Sequence, residues 1–324
     1  MILVIGEALI DLIGSENSGG TYNAVVGGAN ANVALALAVR GEQQKFLGRI
    51  SRDGFGRKIS NHLASHGVDL SWSIDAPEQT TLAVATIDSA GVASYAFYTK
   101  ETADWGWTRH ELPTREDVAA LQTAAIQYGC LAMAIGPGNL VIQKWLKDFF
   151  DDGTITLSHD LNIRPALGFD REQELARVLE LNSQSHIIKA SDADVEWLYD
   201  LAEGADLDPI ATQWSQEKLL VITKGGDGVS IYRSGARIDV KGEKVSLVDT
   251  VGAGDTFMAN FLGELRNLDA LGSNPQARLD RLTGEQLTAA ARFANSAAAL
   301  VCERVGCQPP TMSETSARLD SQKD

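Results

Sequence analysis

Short β-rich apolar runs alternate with helical patterns along most of this chain, and that alternation restricts the available folds more than any other feature. Residues 3–5, 46–49, 132–135, 156–161, 187–189 and 219–223 read as short strands. Between them, 28–39, 56–66, 140–150, 172–181 and 194–201 read as helices, and 256–268 and 284–302 close the pattern as two more. Strands alternating with helices imply an α/β class, a mainly parallel sheet covered on both faces. A chain of 324 residues can bury such a core. Two hairpins interrupt the rhythm. Residues 229–232 and 237–240 form one; 80–87 and 93–98, around Asp88-Ser-Ala-Gly91, form another with one face open to water. The latter, with residues near 14–22, is predicted to stand off as a small β lid. The expected division is a main body at 1–11, 25–75 and 109–312, a lid at 12–24 and 76–108, and a polar tail at 313–324 that frays.

Residues 244–248 read as a strand leading through Asp249-Thr-Val-Gly-Ala-Gly-Asp255 into a helix, with Phe257, Phe261, Leu262 and Leu265 at helical spacing. Gly252 and Gly254 permit close backbone approach to a ligand. The helix start offers free N–H groups and a positive dipole end, a site for phosphate. Asp255 would repel that phosphate unless it had its own task. One such task is taking a proton from a hydroxyl that attacks phosphorus; the other reading is a simple helix cap.

Ligands of parallel sheets sit beyond the carboxyl ends of the strands, and polar clusters fall at those places. They are Asp11; Gly27-Gly28-Ala-Asn30-Ala-Asn32; Asp160-Leu-Asn162-Ile-Arg164; Lys189-Ala-Ser191-Asp192-Ala-Asp194; and Thr223-Lys224-Gly225-Gly226-Asp227-Gly228. Each alone has an ordinary structural explanation, as a cap, a surface ion pair or a turn. Five converging on one sheet edge point to a ligand site. A P-loop, an early Gly-x-Gly-x-x-Gly, a Gly-x-Ser-x-Gly elbow and histidines at metal spacing are all missing from the sequence, which disfavours those chemistries. With 43 acidic against 28 basic residues the formal charge is -15, contrary to a nucleic-acid partner. A nucleotide can still bind through local N–H groups and magnesium. Cys130, Cys302 and Cys307 lack metal spacing and read as reduced packing residues, which suits the cytoplasm. Glu7 and Asp11 interrupt the apolar start, so it does not read as a signal peptide, and no run is long enough to span a membrane. What remains is phosphoryl transfer to a small hydroxyl compound beneath a lid that excludes water.

Two segments, Gly27-Gly-Ala-Asn-Ala-Asn-Val-Ala-Leu-Ala-Leu and Asp249-Thr-Val-Gly-Ala-Gly-Asp-Thr-Phe, resemble both sequence markers of the ribokinase-like (phosphofructokinase-B) carbohydrate kinases. The similarity runs from Gly6-Glu-Ala-Leu-Ile-Asp11 to Gly306-Cys-Gln-Pro. It implies a three-layer fold with a mainly parallel central sheet and a β-sheet lid. It further implies that Asp255 is the catalytic base, that the N–H groups of Gly252, Ala253 and Gly254 form the anion hole, and that Arg164 lies near the transferred phosphate or the sugar. Asp11, Gly28 and Asn32 would bind the sugar. Lys189, Thr223, Gly225 and Gly228 would form the nucleotide wall, with Asn295 where adenine packs. Asp249, Val251, Arg304 and Gly306 resemble a monovalent-cation site, and Asp194 would serve magnesium through water.

Three departures stand out. Ser191-x-x-Asp194 replaces the family's usual Asn-x-x-Glu, Pro310 falls where some members offer a serine to potassium, and no Glu lies near 134–136, where a ribokinase would carry one. Asp160-Leu-Asn-Ile-Arg-Pro, the Ser191-Asp192 variant, Phe97-Tyr98 and Thr102-Ala-Asp-Trp-Gly-Trp107 are more similar to fructokinases. The expectation is an ATP- and magnesium-dependent, fructokinase-like enzyme, cytoplasmic and dimeric through its lid. The alternatives are a kinase for ribose, 2-keto-3-deoxygluconate, inositol or a nucleoside, with Trp105 and Trp107 as base-stacking candidates, or a non-catalytic sugar sensor on the same scaffold.

Overall fold

Ile2 and Val4 of the first strand face one apolar core, while Leu3 and Ile5 face another. All four are fully buried, as befits a central parallel strand covered on both sides. The computed structural model describes residues 1–15, 20–87 and 93–321. Its strands are β1 (Ile2–Ile5), β2 (Leu9–Ser15), β3 (Tyr22–Gly27), β4 (Gln44–Leu47), β5 (Arg49–Ser51), β6 (Ile74–Ala76), β7 (Leu82–Ile87), β8 (Ala93–Tyr98), β9 (Ala125–Gly129), β10 (Thr156–Asp160), β11 (Ile187–Ser191), β12 (Leu219–Thr223), β13 (Gly228–Arg233) and β14 (Ala236–Lys241). Its helices are α1 (Ala29–Val39), α2 (Gly54–Ser65), α3 (Arg115–Ala120), α4 (Cys130–Ala134), α5 (Gly138–Asp152), α6 (Arg171–Ser183), α7 (Asp192–Leu198), α8 (Asp208–Trp214), α9 (Ala253–Asn267), α10 (Pro275–Asp280), α11 (Gly284–Cys302) and α12 (Met312–Asp320).

The main sheet has the order β14-β13-β12-β11-β10-β9-β1-β4, parallel from β12 to β4 and antiparallel at the β12–β13–β14 edge. Residues of α1, α2, α9, α10 and α11 cover one face, and those of α3, α5, α6, α7 and α8 cover the other. This is the three-layer α/β arrangement implied by the alternating pattern. A second sheet, β3-β2-β7-β8, is separate from the first, and β5 and β6 form a third, two-stranded one. In the second sheet Val25, Asp11, Ala83 and Phe97 are lateral neighbours in register, so their side chains share one face. Among the described residues no helix is long and apolar enough to cross a membrane.

Several local expectations need correction. Residues 244–248 are not a strand. Leu247 and Val248 are 65% and 57% exposed, and the N–H groups of Val248 and Asp249 donate to Cys302 O at 2.8 and 3.2 Å. The segment therefore satisfies an open carbonyl at the end of α11. Residues 132–135 fall largely in the single turn of α4, because the strand precedes them and ends where Gly129 and Cys130 take positive φ (146° and 52°). The C-terminal segment does not fray from 313: α12 starts with a Thr311–Glu314 capping box, and Arg318 pairs with Glu243 and Glu303 at 2.8 Å. Helices α3, α8 and α10 and strands β5 and β6 were not anticipated from the sequence pattern. The Asp88-Ser-Ala-Gly91 turn, part of the 14–22 stretch and the last three positions lie outside the described residues.

Candidate active site

The carboxyl ends of β9, β10 and β11 meet where Gly129, Asp160 and Lys189 stand side by side in register. Lys189 Nζ lies 2.9 and 2.8 Å from the two Asp160 oxygens, and both residues are buried. Burial alone would lower the Lys189 pKa, but Asp160, with Asp194 and Asp255 nearby, holds it above the usual value. This buried cation lies beneath the start of α9: a Cβ at Gly254 would be 3.3 Å from Lys189 Nζ.

The N-terminus of α9 has no side-chain cap. Gly252 begins it at φ 78°, and a side chain there would collide with Cys307 Sγ, so glycine is required by the chain's own packing as well. Of the three amides expected to form the anion hole, that of Ala253 donates to Thr250 O at 3.2 Å. Asp255 does not cap its helix. Its Oδ2 accepts a 2.8 Å hydrogen bond from Asn32 Nδ2, in the first turn of α1. Asp255 is 8% exposed, and burial pushes its pKa up to about 7, against the lowering effect of Asn32, Lys189 and Arg164.

Asp11 lies within β2 of the second sheet, not in a loop after β1. Its carboxylate rests against Gly27, where any side chain would collide with it. Burial raises its pKa to about 6, opposed by the charge of Arg164. The Arg164 guanidinium reaches its own neighbour, Ile163 O, at 3.2 Å, and its charge acts on Asp11, Asp160, Asp194 and Asp255 alike. Asn30 and Asn32, equivalent candidates in the sequence, separate here. Asn30 Nδ2 donates to Glu7 Oε2 and Gly129 O, both at 3.1 Å, while Asn32 alone reaches Asp255.

Thr223, Gly225, Gly228 and Asn295 gather at the β12–β13–β14 edge. Gly228 pairs with Lys241, and Asn295 Nδ2 donates to Lys241 O at 3.3 Å. Gly225 faces open space at φ 50°, whereas a Cβ at Gly228 would strike Val240 O. Gly225 therefore fits a ligand-facing turn, and Gly228 is fixed by hairpin packing. Thr223 Oγ1 donates to Ala190 O at 3.4 Å.

Asp194 forms a capping box with Ser191, and its oxygens accept the N–H groups of Ser191 and Ile163, each at 2.8 Å. Both oxygens are engaged, and no group of three or more acidic, histidine or cysteine side chains is placed to hold a metal among the described residues. Asp249 accepts the N–H of Val251 at 3.1 Å and of Gly306 at 2.8 Å, so three of the four residues expected at a cation loop do meet. The Arg304 side chain departs to Gln308 O and Glu314. Trp105 and Trp107 are each 3% exposed and pack in separate apolar clusters.

Sequence reasoning missed Glu7 and Asp104, both buried carboxylates that accept backbone N–H groups around the site. The available signal was a carboxylate inside an apolar run, which must find partners if the run is buried.

The model of the pfkB family of carbohydrate kinases matches residues 1–314. A fructokinase from Rhizobium leguminosarum bv. trifolii is 34% identical over 284 residues, covering 86% of this chain and 84% of that one. Fructokinase-1 of Oryza sativa subsp. japonica is 30% identical over 331 residues, covering 99% and 98%. The crystal structure of a fructokinase from Xylella fastidiosa with bound ATP superposes with a TM-score of 0.88 at 25% identity, covering 100% of this chain and 99% of that one.

Proposed function

The chain belongs to the pfkB family of carbohydrate kinases, and from that premise we propose that it transfers the γ-phosphoryl group of ATP to a hydroxyl of fructose, with Asp255 as general base. The observation that carries the role of Asp255 is its placement: a buried carboxylate at the uncapped start of α9, held by Asn32, and not used as a cap. A base whose pKa lies near the working pH suits proton removal in a transition state.

The acceptor sits between Asp11, Gly28 and Asn32 on one side and Arg164 on the other. The nucleotide lies along Thr223, Gly225, Gly228 and Asn295. Asp255 takes the hydroxyl proton as the oxygen attacks the γ-phosphorus in line, and ADP leaves. The amides of 252–254 receive the phosphoryl oxygens, with Ala253 releasing Thr250 O to do so, and the buried Lys189 supports that negative charge. The second sheet acts as the lid that keeps water from competing as acceptor. Its outer strands, β3 and β8, also fit the expected homodimer.

Magnesium, entering with the nucleotide, supplies charge neutralisation to the phosphates. Asp194, its oxygens already holding amides, fits that ion only through water. The turns clasped by Asp249 fit a monovalent cation such as potassium. The 34% and 30% identity to two fructokinases, over 86% and 99% of the chain, supports fructose as the acceptor. The burial of Trp105 and Trp107 favours a sugar over a stacked base.

The test is ADP release from magnesium–ATP with fructose, ribose, 2-keto-3-deoxygluconate, inositol and adenosine, each with potassium or a bulky organic cation. Fructose-dependent turnover above the other acceptors supports the proposal. Preference for another acceptor moves the assignment to it. Sugar binding without turnover for any acceptor points to a sensor.

A further inference from the structure

Glu7 is fully buried in the short connection between β1 and β2, and its carboxylate holds two helices together. Oε1 accepts the N–H of Ala29, the first residue of α1, at 2.9 Å. Oε2 accepts Asn30 Nδ2 and the N–H of Ala132 in α4, both at 3.1 Å. The Glu7 carbonyl accepts the N–H of Ala31 at 3.3 Å, and a Cβ at Gly28 would stand 2.6 Å from that carbonyl. Gly28, the N-cap of α1, has no side chain to offer the helix. One carboxylate from the β1–β2 connection does that work for α1 and for α4 together.

The connection extends in both directions. Asn32, in the first turn of α1, holds Asp255. On the other side, the N–H of Ala8 donates to Asp104 Oδ1 at 2.9 Å, and Asp104 Oδ2 accepts Thr81 Oγ1 at 2.5 Å. Thr81 in turn is 2.5 Å from Thr102 Oγ1. Thr81 and Thr102 lie just outside β7 and β8, at the root of the second sheet. A buried carboxylate is costly unless fully partnered, and Glu7 is partnered by four donors, of which the Asn30 N–H at 3.5 Å is the longest.

We propose that Glu7 is a positioning residue for phosphoryl transfer: by clamping the start of α1 against α4 it fixes Asn32, and through Asn32 the orientation of Asp255. The inference rests on Asp255 being the general base. Glu7 is enclosed by protein and acts through Asn32, not on the reactants.

The test is a cycle of Glu7→Gln, Asn32→Ala and the double variant, with Asp255→Asn alongside, using whichever acceptor turns over in the panel above. Glu7→Gln lowers kcat about ten- to a hundredfold, the scale of loss from a slightly misplaced reactive group, with the KM for ATP within about twofold of the parent. Its acid limb of kcat against pH moves upward, as in Asn32→Ala. The double variant is no slower than Asn32→Ala alone, because both act along one path. Losses that multiply, or an unchanged kcat and acid limb in Glu7→Gln, overturn the proposal. Retained turnover in Asp255→Asn instead removes the base assignment beneath it, a separately readable failure. If Glu7→Gln does not fold by circular dichroism, Asn30→Ser, which removes one donor from the clamp, takes its place in the cycle. Multiplying losses there overturn the proposal equally.

Discussion

Asn32 Nδ2 donates to Asp255 Oδ2 at 2.8 Å, joining the first turns of two helices whose residues lie 223 positions apart. Among the described residues no hydrogen bond reaches the other oxygen of Asp255, which leaves it to receive a proton.

Replacing Asp255 by Asn keeps the shape and the acceptor for Asn32 but removes the base. Turnover is expected to fall by roughly two to four orders of magnitude, with sugar and ATP binding largely retained. Steady-state kinetics with calorimetric titration of both ligands checks this; near-normal turnover would falsify the role of Asp255.

The pH profile follows from the same carboxylate. Asp255 must be ionised to accept a proton, and burial holds its pKa at about 7. Activity should therefore rise as pH increases through about 7 and level off above it. Asn32 stabilises the ionised form, so Asn32→Ala should shift that rise to higher pH as well as slow the reaction. A profile flat from acid to alkaline pH in the parent enzyme would contradict this.

Stability should move opposite to activity. The folded-state pKa of Asp255 is raised, to about 7 from an ordinary 3.8, so its neutral form is favoured by folding. That contribution is complete below the unfolded value and lost as pH rises through the folded one. Asp255→Asn avoids the burial of charge, so it should be more stable than the parent at pH 8, by on the order of 1 to 4 kcal/mol. The advantage should shrink towards acid pH. Chemical denaturation at several pH values measures it, and equal stability at pH 8 would count against a buried charge here.

Lys189 and Asp160 form a buried, bidentate pair beneath the start of α9. Lys189→Met leaves Asp160 uncompensated and should cost about 3 to 5 kcal/mol. Adding Asp160→Leu should recover most of the stability, since an apolar pair replaces the ionic one. Turnover should stay low in both variants. Recovery of turnover along with stability would mean that the pair only supports the fold.

Gly252→Ala places a side chain at φ 78° and against Cys307 Sγ. Strain at such a backbone position is of order 1 to 3 kcal/mol; because Cys307 Cβ as well as Sγ stands in the way, adding Cys307→Gly should relieve only the collision. Thermal unfolding midpoints of the single and double variants separate the two contributions.

The residue pattern by itself determined the layered α/β class, the parallel sheet and the separate β-sheet formed partly by 80–87 and 93–98, but it put Asp11 at the end of β1, where the structure has it in β2 of the second sheet. The class and both sheets follow from periodicity, which acts over a few residues. The helical pattern did not distinguish Asn30 from Asn32, though the family resemblance favoured Asn32, because both sit on the same helix turn and only their partners differ. Sequence reasoning misread 244–248, where a β-like pattern lies against the end of α11 with its apolar side chains outside. It passed over Glu7, whose donors come from α1 and from Ala132, 125 residues away. Tertiary structure alone decided those points. A hydrogen bond between distant segments exists only once packing has removed water from both partners, and no local pattern records that event.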